Sequence, residues 1–149
     1  MIIRKTVKWD IDEIYRIECE CFSEPWSAGA LLSQLDESGV MLCAEEDGEL
    51  LGYLIAGRIL DEVSLWRIAC AEKHRRRGIG RAMLEMLKAE CASASVIYLE
   101  VRESNAPAIE MYRKQGFETV GKRPRFYEKP VEDAVLMNYE ISAEGKCEQ

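Results

Sequence analysis

Seven consecutive residues, Arg75-Arg76-Arg77-Gly78-Ile79-Gly80-Arg81, have the types and spacing to hold an anion. Glycines let the backbone turn tightly and present successive N–H groups, and a helix N-terminus adds partial positive charge. Arginines add charge and planar donors suited to phosphate. The plainer reading is a basic loop whose glycines only start a helix. Context favours the anion site: a predicted strand ends at Ala71, a predicted helix opens at Gly78, and four arginines gather here in an acidic chain. A Walker-type P-loop is excluded because no Gly-Lys-Ser/Thr follows. A dinucleotide fingerprint fails for want of the third glycine and of an early position in the chain.

Two further side chains could move protons. Glu100 stands in Val96-Ile97-Tyr98-Leu99-Glu100-Val101, an otherwise apolar run. A carboxylate is costly to bury unless it is paired or functional, so Glu100 is either a proton acceptor or faces water at the strand's end. Tyr112 lies at helical spacing from Ile109 and Gly116, which suits a core aromatic as well as a proton donor. His74 is the sole histidine. Beside three arginines it reads as a phosphate neighbour or a solvated ring, its neutral form favoured by the surrounding charge. Trp26 and Trp66 read as packing residues, and Arg102 and Glu103 as surface charges.

The elements that must position these groups follow from periodicity. A short strand is expected over residues 1–7. Asp10 then caps a helix to about residue 22, with Ile11, Ile14, Tyr15, Ile17 and Glu18 on one face. Ser27 caps a second helix to about residue 35. Strands over residues 40–46 and 50–59 are joined by Asp47-Gly48, a strong hairpin signal. A third strand runs over 63–71, an amphipathic helix over about 78–94 and a compact strand over 96–101. Ser104 or Asn105 caps the next helix, Pro107 sits in its first turn and Gly116 ends it. Strands near residues 117–121 and 134–140 complete the order, and residues 142–149 read as a frayed tail. Hairpins followed by alternating helix and strand imply a single α/β domain over residues 1–149, a mixed central sheet with helices on both faces.

Composition narrows the function classes. The 149 residues are 48% hydrophobic and 32% charged, ordinary for a soluble domain. The net charge of −7 argues against general nucleic-acid binding and suits a basic acceptor. No apolar run is long enough to cross a membrane and no secretory leader is visible, so the cytoplasm is the expected location. Six cysteines, Cys19, Cys21, Cys43, Cys70, Cys91 and Cys147, sit mostly among apolar neighbours. They read as buried free thiols rather than a disulfide framework, and with one distant histidine no metal site is expected.

Arg75-x-x-Gly78-x-Gly80 resembles the pyrophosphate-binding signature of the GNAT acetyltransferases, and the element order resembles their acyl-CoA N-acyltransferase fold. More narrowly, Phe22-Ser23-Glu24-Pro25-Trp26-Ser27, Leu60-Asp61-Glu62-Val63-Ser64-Leu65, Leu99-Glu100-Val101-Arg102-Glu103-Ser104-Asn105, Ala108-Ile109-Glu110-Met111-Tyr112 through Gly116-Phe117, and Glu132-Asp133-Ala134-Val135-Leu136-Met137 resemble the ribosomal-protein-alanine N-acetyltransferases. The resemblance spans roughly residues 3–141. It implies acetyl-CoA as co-substrate, contacted by Ile68, Ala69, Cys70, Arg75, Arg76, Arg77, Gly78, Ile79, Gly80, Arg81, Asn105 and Tyr112. It further implies Glu100 as general base, Tyr112 as general acid, and direct transfer with no acyl-enzyme at Cys70.

The implied acceptor is a protein N-terminal amine, that of the alanine of the eighteenth small-subunit ribosomal protein, with neither nucleic acid nor membrane contacted directly. An α-amine with a pKa near 8 is mostly protonated at neutral pH, so a base is required. The developing oxyanion needs hydrogen-bond donors. Two departures from the family pattern stand out: Cys70-Ala71-Glu72-Lys73 follows Ile68-Ala69, and the Arg123-Pro124-Arg125-Phe126-Tyr127-Glu128-Lys129-Pro130 segment is a shorter, more basic substrate-side loop. Acetylation of lysine side chains or small amines, a non-catalytic CoA-binding module, and a nucleic-acid role for the residue 74–77 run are the competing readings; the last would show a steep salt dependence.

Overall fold

The computed structural model describes residues 1–36 and 39–141; the expected frayed tail and Cys147 lie outside the described residues. In chain order the elements are β1 (Ile2–Lys5), α1 (Ile11–Cys21), α2 (Ala28–Ser33), β2 (Gly39–Glu46), β3 (Glu49–Ile59), β4 (Glu62–Cys70), α3 (Ile79–Glu90), β5 (Val96–Arg102), α4 (Ala106–Lys114), β6 (Glu118–Tyr127) and β7 (Glu132–Glu140). The strands form one mixed sheet in the order β1-β2-β3-β4-β5-β7-β6. By contacts the chain divides into two compact units, Met1–Gly57 with Trp66–Glu90, and Arg58–Leu65 with Cys91 onward.

In the first unit β2 and β3 pair antiparallel around Asp47 (φ 51°) and Gly48 (φ 79°). Two successive left-handed residues make the tight turn whose twist matches the strands, as Asp-Gly predicts. Alternation along the hairpin separates two packing faces. Met41, Cys43, Tyr53 and Ile55 join Ile11, Ile14 and Ile17 of α1 and Leu31 of α2 in one buried cluster. Each of these larger side chains contributes about 1.5–3 kcal/mol by leaving water. Leu42 and Ala44 lie on the opposite face, where α3 packs with Ile79, Met83, Leu84 and Leu87 buried. A Cβ at Gly52, opposite Ala44, would lie 3.3 Å from the Met83 Cε and 2.6 Å from the Ala69 carbonyl, so the bare backbone is what lets β4 and α3 approach.

The structure departs from three local expectations. Asp10 precedes α1 but makes no side-chain cap to it; its carboxylate accepts from the Val7 amide (2.8 Å) and from both terminal nitrogens of Arg4 (2.8 and 2.9 Å). Tyr15 lies off the buried stripe and is 39% exposed, because the stripe is only wide enough for positions 11, 14, 17 and 18. Ser27 does cap α2, accepting from the Ala30 amide at 3.1 Å, but the α-helix ends at Ser33 and a 3-10 turn, Gln34–Asp36, follows.

In the second unit β5 pairs parallel with the start of β4, from Glu62↔Val96 to Leu65↔Leu99, and antiparallel with β7 from Val96↔Glu140 to Arg102↔Ala134. Ile97, Leu99, Val101, Ala134, Val135, Met137 and Phe117 are buried. The hairpin β6–β7 is longer than expected: the Arg123–Pro130 segment is the end of β6 and its turn, not a free loop. Proline is tolerated there because β6 is the edge of the sheet and its register shifts between Arg123 and Tyr127.

Candidate active site

The end of β4, the loop after it and the start of α3 form the candidate anion site within the first unit. Arg76 and Gly78 take φ of 67° and 75°, and nothing lies within 4 Å of where a Cβ on Gly78 would sit. Glycine is therefore required here by backbone conformation, not by crowding. The Ala82 amide bonds to the Gly78 carbonyl at 3.0 Å, so the amides of Ile79, Gly80 and Arg81 precede the first intrahelical bond. Such first-turn N–H groups, with the helix dipole behind them, are what an anion can occupy. Ile79 is buried and anchors the start of α3 in the core.

Arg75, Arg76, Arg77 and Gly78 are exposed. Arg77 reaches Glu46 at 2.6 Å and the His74 Nδ1 at 3.1 Å, and Arg81 reaches Glu85 at 3.2 Å. The loop is thus cationic but braced. His74 is not solvated: its side chain is 17% exposed, and Nε2 stands 3.0 Å from Glu49. With Arg77 donating to Nδ1, the consistent tautomer carries its proton on Nε2 and donates it to Glu49. Cradle and charge together fit a pyrophosphate.

Ile68 and Cys70 are half-buried and Ala69 is buried. The Cys21 thiol donates to the Cys70 carbonyl at 3.4 Å and accepts from Arg75 at 3.3 Å, so α1 ties the end of β4 to the loop. Burial holds the Cys21 and Cys70 thiols above their ordinary values, the opposite of what an acyl-accepting thiolate requires. Both are packing thiols, as are the buried Cys43 and Cys91; Cys19 is exposed, contrary to expectation, because it falls on the solvent side of α1. Among the described residues no group of three His, Cys, Asp or Glu side chains is placed to hold a metal ion, and no helix is long and apolar enough to cross a membrane.

The second unit carries Glu100, Asn105 and Tyr112. Glu100 is the first β5 residue past the register shared with β4, and its side chain is 39% exposed, 3.8 Å from Arg123. Its strand alternates buried and exposed positions, and Glu100 falls with Tyr98 on the exposed face. The surrounding apolar run therefore did not signal a buried carboxylate. Asn105, not Ser104, caps α4, accepting from the Ala108 amide at 3.3 Å with Pro107 in the first turn. Tyr112 is 5% exposed and packs on Phe117, ring centroids 5.7 Å apart. Burial, and secondarily Tyr127, hold its phenol well above the usual tyrosine range. It is protonated throughout the neutral region.

Arg102 was expected to be a surface charge. It donates to the carbonyls of Pro130 (3.0 Å) and Glu128 (2.8 Å), pairs with Glu132 (3.1 Å) and lies over the Tyr127 ring at 4.6 Å, fastening the β6–β7 turn. Glu132 also accepts from the Ser104 amide at 2.5 Å, fixing the entry to α4. Glu103 pairs with Lys122.

A mixed sheet with free first-turn amides at a strand–helix junction has the groups to hold a phosphorylated carrier. Residues 11–117 match the model of the acetyltransferase (GNAT) family, and the chain belongs to that family. It is 34% identical over 137 residues to the [ribosomal protein bS18]-alanine N-acetyltransferase of Escherichia coli K12, an alignment covering 89% of this chain and 93% of that protein. Identity to the enzyme of the same description from Haemophilus influenzae is 33%, covering 91% and 96%. The crystal structure of the ribosomal-protein-S18-alanine N-acetyltransferase from Escherichia coli superposes with a TM-score of 0.89 at 32% identity, covering 95% of this chain and 94% of that one.

Proposed function

We propose that this acetyltransferase moves the acetyl group of acetyl-CoA to a protein N-terminal α-amine, that of the alanine of the eighteenth small-subunit ribosomal protein, in the cytoplasm. The observation that carries this reading is the relationship to alanine N-acetyltransferases along almost the entire chain. Because the family match draws on both units, the chain is read as one functional domain.

Acetyl-CoA supplies an activated thioester. The first-turn amides of α3 and residues Arg75, Arg76, Arg77 and Arg81 bind its pyrophosphate, the backbone of Ile68, Ala69 and Cys70 aligns the acyl end and donates to the developing oxyanion, and Asn105 contacts the carrier. Glu100 accepts the proton of the attacking amine; being solvent-exposed, it can hand that proton on to water. Tyr112 returns a proton to the departing sulfur. Its burial makes it a weak acid, but a thiolate in the same dry surroundings is a correspondingly stronger base. The acidic chain favours encounter with a basic protein.

The test is thiol release from acetyl-CoA with a hexapeptide beginning Ala-Arg-Tyr and with an N-terminally blocked, lysine-containing counterpart. Release with the free N-terminus alone is expected. Release with the blocked peptide alone would move the assignment to lysine side chains.

A further inference from the structure

Glu18 is fully buried, and no step described above uses it. The Tyr53 hydroxyl of β3 donates to its Oε1. Its Oε2 accepts from the Trp26 amide at 2.8 Å and from the Arg67 Nε of β4 at 3.2 Å. Arg67 in turn donates to the Glu24 carbonyl at 3.3 Å, and its guanidinium lies 4.1 Å from the centre of the Phe22 ring and 4.8 Å from that of Trp26. Both stacking distances are within cation–π range. Apart from Tyr53, every contact in this network beyond the ion pair itself goes to residues 22–26.

A buried ion pair is a poor way to gain stability, since apolar residues of the same volume do as well. What this pair does provide is a fixed path for residues 22–26, with Ser23, Glu24 and Pro25 exposed on a braced base. The segment leaves α1 directly after Cys21, which touches Cys70 and Arg75, and Arg67 immediately precedes Ile68 on β4. The geometry points to Glu18 and Arg67 as positioning residues for the acceptor: they hold residues 22–26 as a rigid rim beside the acetyl-bearing strand, and that rim sets how the peptide amine is presented. The exposed Glu24 carboxylate complements the cationic charge with which such a peptide arrives. This inference rests on the acetyl-transfer reading above.

The experiment is steady-state kinetics of the full-length enzyme, varying the free-N-terminus hexapeptide and acetyl-CoA independently. Arg67→Lys keeps the charge opposite Glu18 but removes the planar group that spans both rings and Glu24. We expect its peptide KM to rise on the order of ten-fold or more, as displaced positioning groups do, with the acetyl-CoA KM within about two-fold of wild type. Glu18→Gln should give the same split. A purely structural role would lower the active fraction and hence kcat, leaving both KM values unchanged; that result, or both KM values rising together, would overturn the inference. Amide hydrogen exchange supplies a readout independent of turnover: in Arg67→Lys, residues 22–26 should exchange faster while α3 does not. Unaltered exchange at Trp26 would equally count against it. A wild type silent on every peptide would instead defeat the acetyl-transfer reading, and this inference with it.

Discussion

Replacing Glu18 by Gln changes the charge but almost none of the volume, so the response isolates electrostatics. The carboxylate is fully buried and Arg67 has a side-chain exposure of 16%, so solvent screens the pair weakly. Removing one member of such a pair typically costs about 3–5 kcal/mol. Two features reduce that here. Glutamine can still accept from the Trp26 amide, and Arg67 keeps the Glu24 carbonyl and two aromatic faces, each face contributing about 0.5–1 kcal/mol. The expected loss is therefore about 2–4 kcal/mol, which for a chain of this size lowers Tm by roughly 5–15 °C. Urea denaturation followed by tryptophan fluorescence gives the same quantity from the midpoint at constant m-value. A loss below about 0.5 kcal/mol, the scale of an ordinary surface substitution, would mean that the ion pair contributes little and that ring stacking alone holds Arg67.

Other outcomes follow from the same geometry. Tyr112→Phe keeps the packing on Phe117 but removes the proposed proton donor; kcat should fall on the order of a hundred-fold with acetyl-CoA KM nearly unchanged, and an unaltered kcat would remove Tyr112 from that role. Glu100→Gln should lower kcat/KM most at neutral pH and recover partly above about pH 8, where the amine deprotonates unaided; a pH profile parallel to wild type would refute the base assignment. The Asp10 carboxyl is held below its ordinary value of 3.8 chiefly by its hydrogen-bonded pair with Arg4. A depressed carboxyl contributes stability above its unfolded pKa and loses it as pH falls through the folded one. Denaturation midpoints of Asp10→Asn should thus decline less steeply than wild type below about pH 4; equal slopes would show that the pair is not linked to folding.

Local chemistry was the legible part of the chain. Asp47-Gly48 and the Gly78 junction are set by backbone conformations that few residue types satisfy, and the Ser27 cap by a short side-chain acceptor, so residue identity announces them; the choice of Asn105 over Ser104 at α4 needed the structure. The turn from the arginine run into α3 was legible for the same reason, while its hold on an anion belongs to the proposed function. Periodicity placed Glu18 on the inward stripe of α1, yet could not reveal its partners: Tyr53 is 35 residues away and Arg67 is 49. Arg102 looked like a surface charge because the carbonyls it binds lie 26 and 28 residues further on. The Arg123–Pro130 segment was read as a loop through its resemblance to the family's substrate-side loop, whereas residues 123–127 extend β6, an edge strand that tolerates both Pro124 and dense positive charge. Glu100 shows the reverse limit, since alternation along β5 decided its exposure and the apolar character of its neighbours did not.

Acetyl transfer to an α-amine can be tested with one peptide that carries both a free N-terminal alanine and an internal lysine. After incubation with enzyme and acetyl-CoA, fragment-ion mass spectrometry locates the added acetyl group. A single acetyl group on the N-terminal residue is expected, with the lysine untouched. Acetyl on the lysine, with the N-terminus left free, would contradict it.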